Sequence, residues 1–435
     1  MTRVPAALAL IDGEHYPDVV VETLSSLRYE VVGVVMLGGT EKLRDGTPDY
    51  GVPLWRSLAE ALAEVDVEVV VDLSDEPVVG PRRRFRLASQ ALAHGLPYVG
   101  ADFRLDPVRF AELGHPALAV MGTGKRVGKT AVSGHVARLL AASREVVVVA
   151  MGRGGPPEPV VMQASPAVAD LVELSRSGVH AASDYVEDAA LAGIVTVGAR
   201  RCGGGLAGEP FVSNVEEAAR VAASLDPDLV LLEASGATVP PVEAGARILV
   251  AGAHQDTETV AGYLGAYRLL LSDLVVLTMC EEPLATPAQV DALRLAIADV
   301  DPELQVVATV LRPRPAEPVA GRRVAFFSTA PPAVHDRLRD HLEHAHGAEV
   351  VLLSGSLADR PALLADLDSP AAARAEVFLT EIKAAAIDVV AEAAETRGLP
   401  VVFADNEVLP LPGERDLDEA VVALADAVIA AGAAA

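Results

Sequence analysis

Three groups of residues in this chain have the types and spacing to handle phosphate. The first is the run Gly122-Thr123-Gly124-Lys125-Arg126-Val127-Gly128-Lys129-Thr130. It follows a short apolar run, Ala117 to Met121, and precedes a helical pattern that begins near Lys129. A strand, a glycine turn and a helix in that order make the setting of a P-loop, where backbone N–H groups and a helix N-terminus converge on an anion. Lys129 is placed to reach the outer phosphates, with Lys125 beside it, and the Thr130 hydroxyl to ligate Mg²⁺. The loop is one residue longer than the common pattern, reading G-x-x-x-x-x-G-K-T from Gly122. A chance glycine turn is the competing reading, and the flanking strand and helix argue against it.

The second group is a pair of arginine–glycine segments at strand ends. Met151-Gly-Arg153-Gly154-Gly-Pro-Pro-Glu-Pro159 follows one apolar run, and Gly198-Ala-Arg200-Arg201-Cys-Gly203-Gly204-Gly-Leu-Ala-Gly208 follows another. Guanidinium groups fork onto phosphate and carboxylate, and glycines let the backbone approach a ligand closely. Either segment alone could be an ordinary turn; two of them downstream of a P-loop suggest an anionic acceptor. The third group is the carboxylate that a nucleotide site needs. The strand Asp228 to Glu233 ends at Glu233, where it can bind or orient Mg²⁺ beside the P-loop. Met279-Cys-Glu-Glu-Pro283, after a further strand, is a candidate place for the base, with Cys280 read as a small buried hydrophobe.

Composition narrows the function classes. The chain has 435 residues and a formal net charge of −26, which disfavours nucleic-acid binding through bulk charge. Its four lysines stand against 31 arginines, and two of the four, Lys125 and Lys129, lie in the glycine loop. Cys202 and Cys280 form neither a disulfide framework nor a zinc pattern. No apolar run approaches a membrane span, and no basic leader precedes the first strand, so a cytoplasmic protein is expected.

The elements that must hold these groups alternate as strand and helix throughout, the pattern of parallel sheets covered on both faces. Residues 1–115 read as a small Rossmann-like α/β domain with strands at Ala6–Ile11, Val31–Leu37 and Val67–Leu73. Its strand ends carry Asp12-Gly-Glu-His15, Gly38-Gly-Thr40, Asp72, Ser74, Asp75 and the Arg82-Arg83-Arg84 run. His15 and Arg83 are candidates to close on an anion from that side. No G-x-G-x-x-G follows the first strand, so a dinucleotide site is not expected there.

Residues 116–315 read as the P-loop domain, with strands at Glu145–Ala150 and Gly193–Val197 among others. The proline-rich run Arg312 to Pro318 reads as a boundary. Residues 316–435 read as a C-terminal α/β domain with strands at Arg323–Ser328, Glu349–Leu353 and Pro400–Phe403. Its expected helices lie at Pro332–His344, at Pro370–Arg397 with an interruption, and from Leu417. Lys383, the only lysine in that half, is either a surface residue or a substrate contact, and Asp405-Asn406 is comparably placed. His335, His341, His344 and His346 read as a solvated helix face, since no carboxylate or cysteine spacing near them resembles a metal site.

Gly122 to Thr130 resembles the long phosphate loop of dethiobiotin synthetase and its relatives, G-T-x-x-x-V-G-K-T. Glu233-Ala-Ser-Gly-Ala-Thr-Val-Pro240 resembles their E-G-x-G-G-x-x-x-P element, with alanine for the first glycine. A resemblance over the whole chain is closer. Leu10-Ile-Asp-Gly-Glu-His-Tyr-Pro17, the P-loop, Met151 to Pro159 and Arg200-Arg-Cys-Gly-Gly-Gly205 together look like the cyclic 2,3-diphosphoglycerate synthetase family. That resemblance implies an ATP- and Mg²⁺-dependent ring closure of 2,3-diphosphoglycerate to the cyclic anhydride, with ADP and phosphate released. Lys129, Lys125, Arg153 and Arg201 would then be the catalytic set, with Arg200 among the groups forking onto the substrate. No covalent protein nucleophile is needed. A small-molecule partner is implied, with no nucleic acid and no membrane, and a homodimer is compatible. Two other readings stay open on the residues alone. One is a different small-molecule kinase or ligase, of the dethiobiotin synthetase or 2-phosphoglycerate kinase type. The other is a nucleotide-switched partner protein without enzymatic activity.

Overall fold

The computed structural model describes residues 3–38, 48–163, 166–176, 184–382 and 386–434. Lys383 and the Gly39-Thr40 pair lie outside the described residues. Short runs of Val, Leu, Ile and Ala with polar ends become buried strands, and they assemble into two sheets.

The first sheet has six strands in the order Leu54–Trp55, Glu30–Met36, Ala6–Ile11, Val69–Asp72, Tyr98–Val99 and Arg104–Leu105. All neighbours are parallel except the last pair. The chain starts in the middle and winds outward both ways, so the crevice lies at the carboxyl ends of Ala6–Ile11 and Val69–Asp72. Helices Pro17–Ser26, Leu58–Glu64 and Pro81–Ala93 accompany it. The last of these leans on the rest of the molecule: Phe85 meets Tyr263 edge to face with ring centres 5.6 Å apart, and Arg86 pairs with Asp299 at 2.6 Å.

The second sheet runs through the remainder of the chain. Its centre is a parallel array of Thr196–Cys202, Val146–Gly152, Leu229–Glu233, Ala117–Gly122, Ala246–Gly252 and Leu274–Thr278. The P-loop strand, Ala117–Gly122, is buried along its whole length, as a central parallel strand must be. Next comes the 11-residue strand Gln305–Pro315. Its first residues run parallel to Leu274–Thr278, and its second half, Thr309 to Pro315, runs antiparallel to Val401–Pro410. The sheet then continues through Val377–Glu381, Arg323–Phe327 and Glu349–Ser354, again parallel. One strand therefore fuses two α/β sheets into one.

Three element readings are corrected. The proline-rich run is strand up to Pro315, because its prolines fall on one parity. The Ala316 N–H bonds the Phe403 carbonyl, so even-numbered residues face the partner strand, and Pro313 and Pro315 turn their missing N–H groups to the free edge. The expected helix over Pro370–Arg397 contains the strand Val377–Glu381, whose Val-Phe-Leu-Thr run is hidden between alanine-rich flanks. The strand expected at Gly193–Val197 lies at Thr196–Cys202, so Arg200 and Arg201 are strand residues rather than loop residues.

The last helix, Leu417–Ala434, returns to the P-loop helix Lys129–Ala141 and buries Leu417, Val421, Ala425 and Val428. Their spacing of four, four and three residues is one face of a helix. Among the described residues no helix is long and apolar enough to cross a membrane.

Candidate functional site

The P-loop is assembled by local rules. Gly128, the N-cap of the helix Lys129–Ala141, has φ 77°, a left-handed conformation suited to glycine. A side chain there would also press on Leu311 and Thr278 at 3.0 and 3.3 Å. At the other end, a Cβ on Gly122 would come within 3.0 Å of the Gly236 carbonyl. Two predicted cradle residues prove to hold the loop's shape. Val127 is buried and its carbonyl accepts a 2.7 Å bond from the Thr278 hydroxyl. The Thr123 hydroxyl donates to Gln255 at 2.5 Å instead of facing the loop's interior. Gly124, Lys125, Gly128, Lys129 and Thr130 line a cleft of about 1260 Å³.

Beneath the loop lies a buried charge cluster. The Lys129 ammonium pairs with the Glu233 carboxylate at the end of Leu229–Glu233. Asp188, on the helix Asp184–Ala192, is buried beside Glu233. Burial and the neighbouring Glu233 charge raise Asp188 well above the ordinary carboxyl range. Burial pushes Glu233 the same way, but Lys129 and hydrogen bonds from Asp188 and Lys129 outweigh it and hold Glu233 low. The stable arrangement is a neutral Asp188 donating to an ionised Glu233. Glu233 Oε2 and Asp188 Oδ2 are otherwise buried without partners. With the Thr130 hydroxyl nearby in the loop, these are hard oxygen donors of the kind Mg²⁺ takes, so the residues present fit that ion. Asp188 escaped the sequence reading because it lies on a helix, 45 residues from Glu233.

The two arginine–glycine segments meet at Gly236. A Cβ there would lie 3.1 Å from Arg153 Nη2 and 3.3 Å from Arg201 Nη2, and Gly236 has φ 61°. Arg153 and Gly154 line the cleft. Arg201 is buried behind them, donating to the carbonyls of Gly203 and Ser235 at 3.0 and 2.9 Å. Burial, then the Arg153 charge, lowers its pKa. Arg200 is exposed and does not line the cleft; neighbouring strand residues point to opposite faces, and its backbone N–H bonds Asn214 at 2.7 Å. Gly203 and Gly204 make room for Phe211 and Thr238, whose atoms lie 2.8 and 3.2 Å from their missing side chains.

The opposite wall of the cleft is built mostly from residues beyond 300, together with Met279, Glu281 and Leu284. Arg312, on the fusing strand, forks onto Glu281 at 2.5 and 2.8 Å. Arg337 reaches the same carboxylate at 3.1 Å and the Glu282 carbonyl. Burial would raise Glu281, but the two guanidinium groups hold it below the usual range. Arg360 and Thr329 also line this wall. The lining carries seven Lys or Arg side chains against five carboxylates, on a chain whose net charge is −26. Asp405 lines the cleft but is tied to Arg138 of the P-loop helix, whose pKa falls to about 10 through burial and the nearby Arg314. Cys280 is buried, as expected, and burial pushes its thiol up to about 11.

His15 and Arg83 do not join this cleft. His15 Nδ1 bonds Asp12 at 2.9 Å and its Nε2 faces Asp75 at 3.6 Å, at the crevice of the first sheet. There Asp72 is held by Ser74, by the Tyr98 hydroxyl at 2.7 Å and by Arg84 at 2.8 Å. Lys383 lies outside the described residues.

Three family models together span most of the chain. Family models for the N-terminal, P-loop and C-terminal domains of cyclic 2,3-diphosphoglycerate synthetase match residues 6–106, 117–310 and 315–407. The chain is 53% identical to a cyclic 2,3-diphosphoglycerate synthetase of Rubrobacter xylanophilus, over 97% of each chain. It is 46% identical to one of Thermococcus gammatolerans, over 97% of this chain and 98% of that one. Among solved structures, LpxK from Aquifex aeolicus in complex with ATP aligns at 13% identity and TM-score 0.40. That match covers 74% of this chain and 90% of that one, and is too loose to carry an argument.

Proposed function

The chain belongs to the cyclic 2,3-diphosphoglycerate synthetase family, and from that membership we propose how its cleft carries out the reaction. The protein is an ATP-dependent enzyme that makes cyclic 2,3-diphosphoglycerate from 2,3-diphosphoglycerate. An oxygen of one substrate phosphate attacks the γ-phosphorus of ATP, and ADP leaves. An oxygen of the second substrate phosphate then attacks the phosphorus of the first, closing the P–O–P ring and expelling inorganic phosphate. The observation that carries this assignment to the cleft is one enclosure holding the P-loop on one side and Arg153, Arg312 and Arg337 around it.

Such chemistry needs no protein nucleophile; it needs positioning and charge neutralisation. Lys129 exchanges Glu233 for the outer phosphates of the nucleotide, with Lys125 at the loop's exposed edge. Arg153, backed by the buried Arg201, receives the acid and offsets the repulsion between its two phosphates. Thr130 and Glu233 would hold Mg²⁺, which would supply charge neutralisation at the transferring group. Asp188 keeps its proton and orients Glu233. Arg200, His15 and Arg83 are left out of this set on their placement.

Phosphorus NMR tests the assignment: incubation with ATP, Mg²⁺ and 2,3-diphosphoglycerate should yield the cyclic anhydride's signals with one ADP and one phosphate per ring. Only linear products would overturn it. We read residues 1–115, 116–315 and 316–435 as the three working units, supported by where the family models begin and end. We place the enzyme in the cytoplasm, where ATP and the phosphorylated acid are found. A homodimer is our reading of assembly, supported by the exposed apolar patch of Leu206, Phe211 and Val212; light scattering tests it.

A further inference from the structure

The helix His335–His346 carries two histidines that the sequence pattern treats as solvated, yet both turn inward. His341 and His346 are only 14% and 22% exposed, and each Nε2 is buried without a hydrogen-bond partner. Both face one carboxylate from a distant element, Glu407 on Val401–Pro410. The separations are 3.6 Å from His341 Nε2 to Glu407 Oε2 and 3.5 Å from His346 Nε2 to Glu407 Oε1. These are too long for hydrogen bonds. They match the edge of a coordination tetrahedron, about 3.4 Å when each ligand stands about 2.0–2.1 Å from a metal.

From this geometry we propose that His341, His346 and Glu407 form a binding site for a divalent transition-metal ion of the zinc class, separate from the nucleotide cleft. Two imidazoles and one carboxylate suit such an ion, and hard Mg²⁺ does not favour imidazole. None of the three residues lines the cleft. Arg312, opposite Glu407 in register on the paired strand, has its guanidinium forked onto Glu281 and not onto Glu407. The crevice group Asp12, His15 and Asp75 is a useful contrast. There the His15 Nδ1 already bonds Asp12, and Asp12 Oδ2 accepts the Asp75 N–H at 2.7 Å, so its donors are spent.

A metal here would clamp the carboxyl end of His335–His346 to the strand that pairs with the fusing strand. The same helix carries Arg337 into the cleft near its other end, so the clamp fixes the axis on which that guanidinium is presented.

The test uses the full chain, stripped with a chelator and dialysed against Co²⁺ or Zn²⁺ without nucleotide or Mg²⁺. One tightly held equivalent per chain is expected by elemental analysis, with the visible absorption of Co²⁺ bound by imidazole and carboxylate. His346→Ala and Glu407→Gln should each weaken the Kd by at least about tenfold, whereas Thr130→Ala should leave it unchanged. Circular dichroism confirms that the variants fold; if Glu407→Gln fails to fold, His346→Ala decides. No retained metal in the natural chain, full retention in His346→Ala, or loss only in Thr130→Ala would each overturn the proposal.

Discussion

Replacing Asp188 with asparagine separates a protonated carboxyl from an ionised one. If Asp188 is neutral in the folded protein, Asp188→Asn keeps the shape, the charge state and a donor towards Glu233. The effect on stability should then depend on pH in a defined direction. Burial and Glu233 raise the native Asp188 pKa above its ordinary value of 3.8, so between those two values the folded state binds a proton that the unfolded state has released. Stability therefore falls as pH rises through that window, by about 1.4 kcal/mol per pH unit for one fully coupled proton. The asparagine variant lacks this loss, so it should gain on the natural chain as the pH rises above the ordinary carboxyl range. Asp188→Ala, by contrast, leaves a buried Glu233 oxygen without its donor and should lose about 1–3 kcal/mol. Urea-unfolding midpoints at several pH values, without nucleotide or Mg²⁺, provide the comparison. An asparagine variant that loses ground as pH rises would mean that Asp188 is ionised in the fold and that the buried cluster has been misread.

Lys129→Ala should abolish turnover, and it strips Glu233 of its counter-charge, which costs about 3–5 kcal/mol for a broken buried pair; full activity would remove the P-loop lysine from the mechanism. Gly236→Ala places a methyl within 3.3 Å of both Arg153 and Arg201 on a left-handed backbone. It should lower kcat/KM for the acid by at least about tenfold, while ADP affinity by calorimetry stays within twofold. Arg201→Ala should raise the KM for the diphosphorylated acid with little change for ATP; an unchanged KM and kcat for the acid would exclude this residue. Arg200→Ala should leave both substrates' kinetics unaltered, since that side chain points away from the cleft.

What the sequence made legible was what contiguous residues decide. The P-loop is strand, turn and helix in one stretch, and Glu233 ends a strand whose apolar run is unmistakable. What it hid depends on contacts between distant elements or on parity. Arg200 and Arg201 look equivalent in a glycine-rich segment, but a strand sends neighbours to opposite faces, and only the second turns towards Arg153. Asp188 is one more acidic residue on a helix until Leu229–Glu233 is laid beside it. Arg312 seemed to belong to a proline-rich boundary, and Arg337 to a helix of charged residues; each gains its role from Glu281. Asp340 and Glu343 sit beside His341 and His346 in the chain, but the carboxylate that faces both is Glu407, 61 residues beyond His346.

The strand Gln305–Pro315 also has a mechanical consequence. Because it belongs to both halves of the large sheet, the floor of the cleft is a continuous hydrogen-bonded surface and not a hinge between loosely joined bodies. Splaying the two walls apart along that line would break the seven-pair ladder from Thr309–Pro410 to Pro315–Ala404. The walls can twist about this spine, but they cannot slide independently. Leu311 and Arg312, which ride on it, keep a fixed offset from the phosphate loop. The enzyme thus carries a built-in ruler between its nucleotide and the guanidinium groups of the far wall. Its length is set by strand geometry.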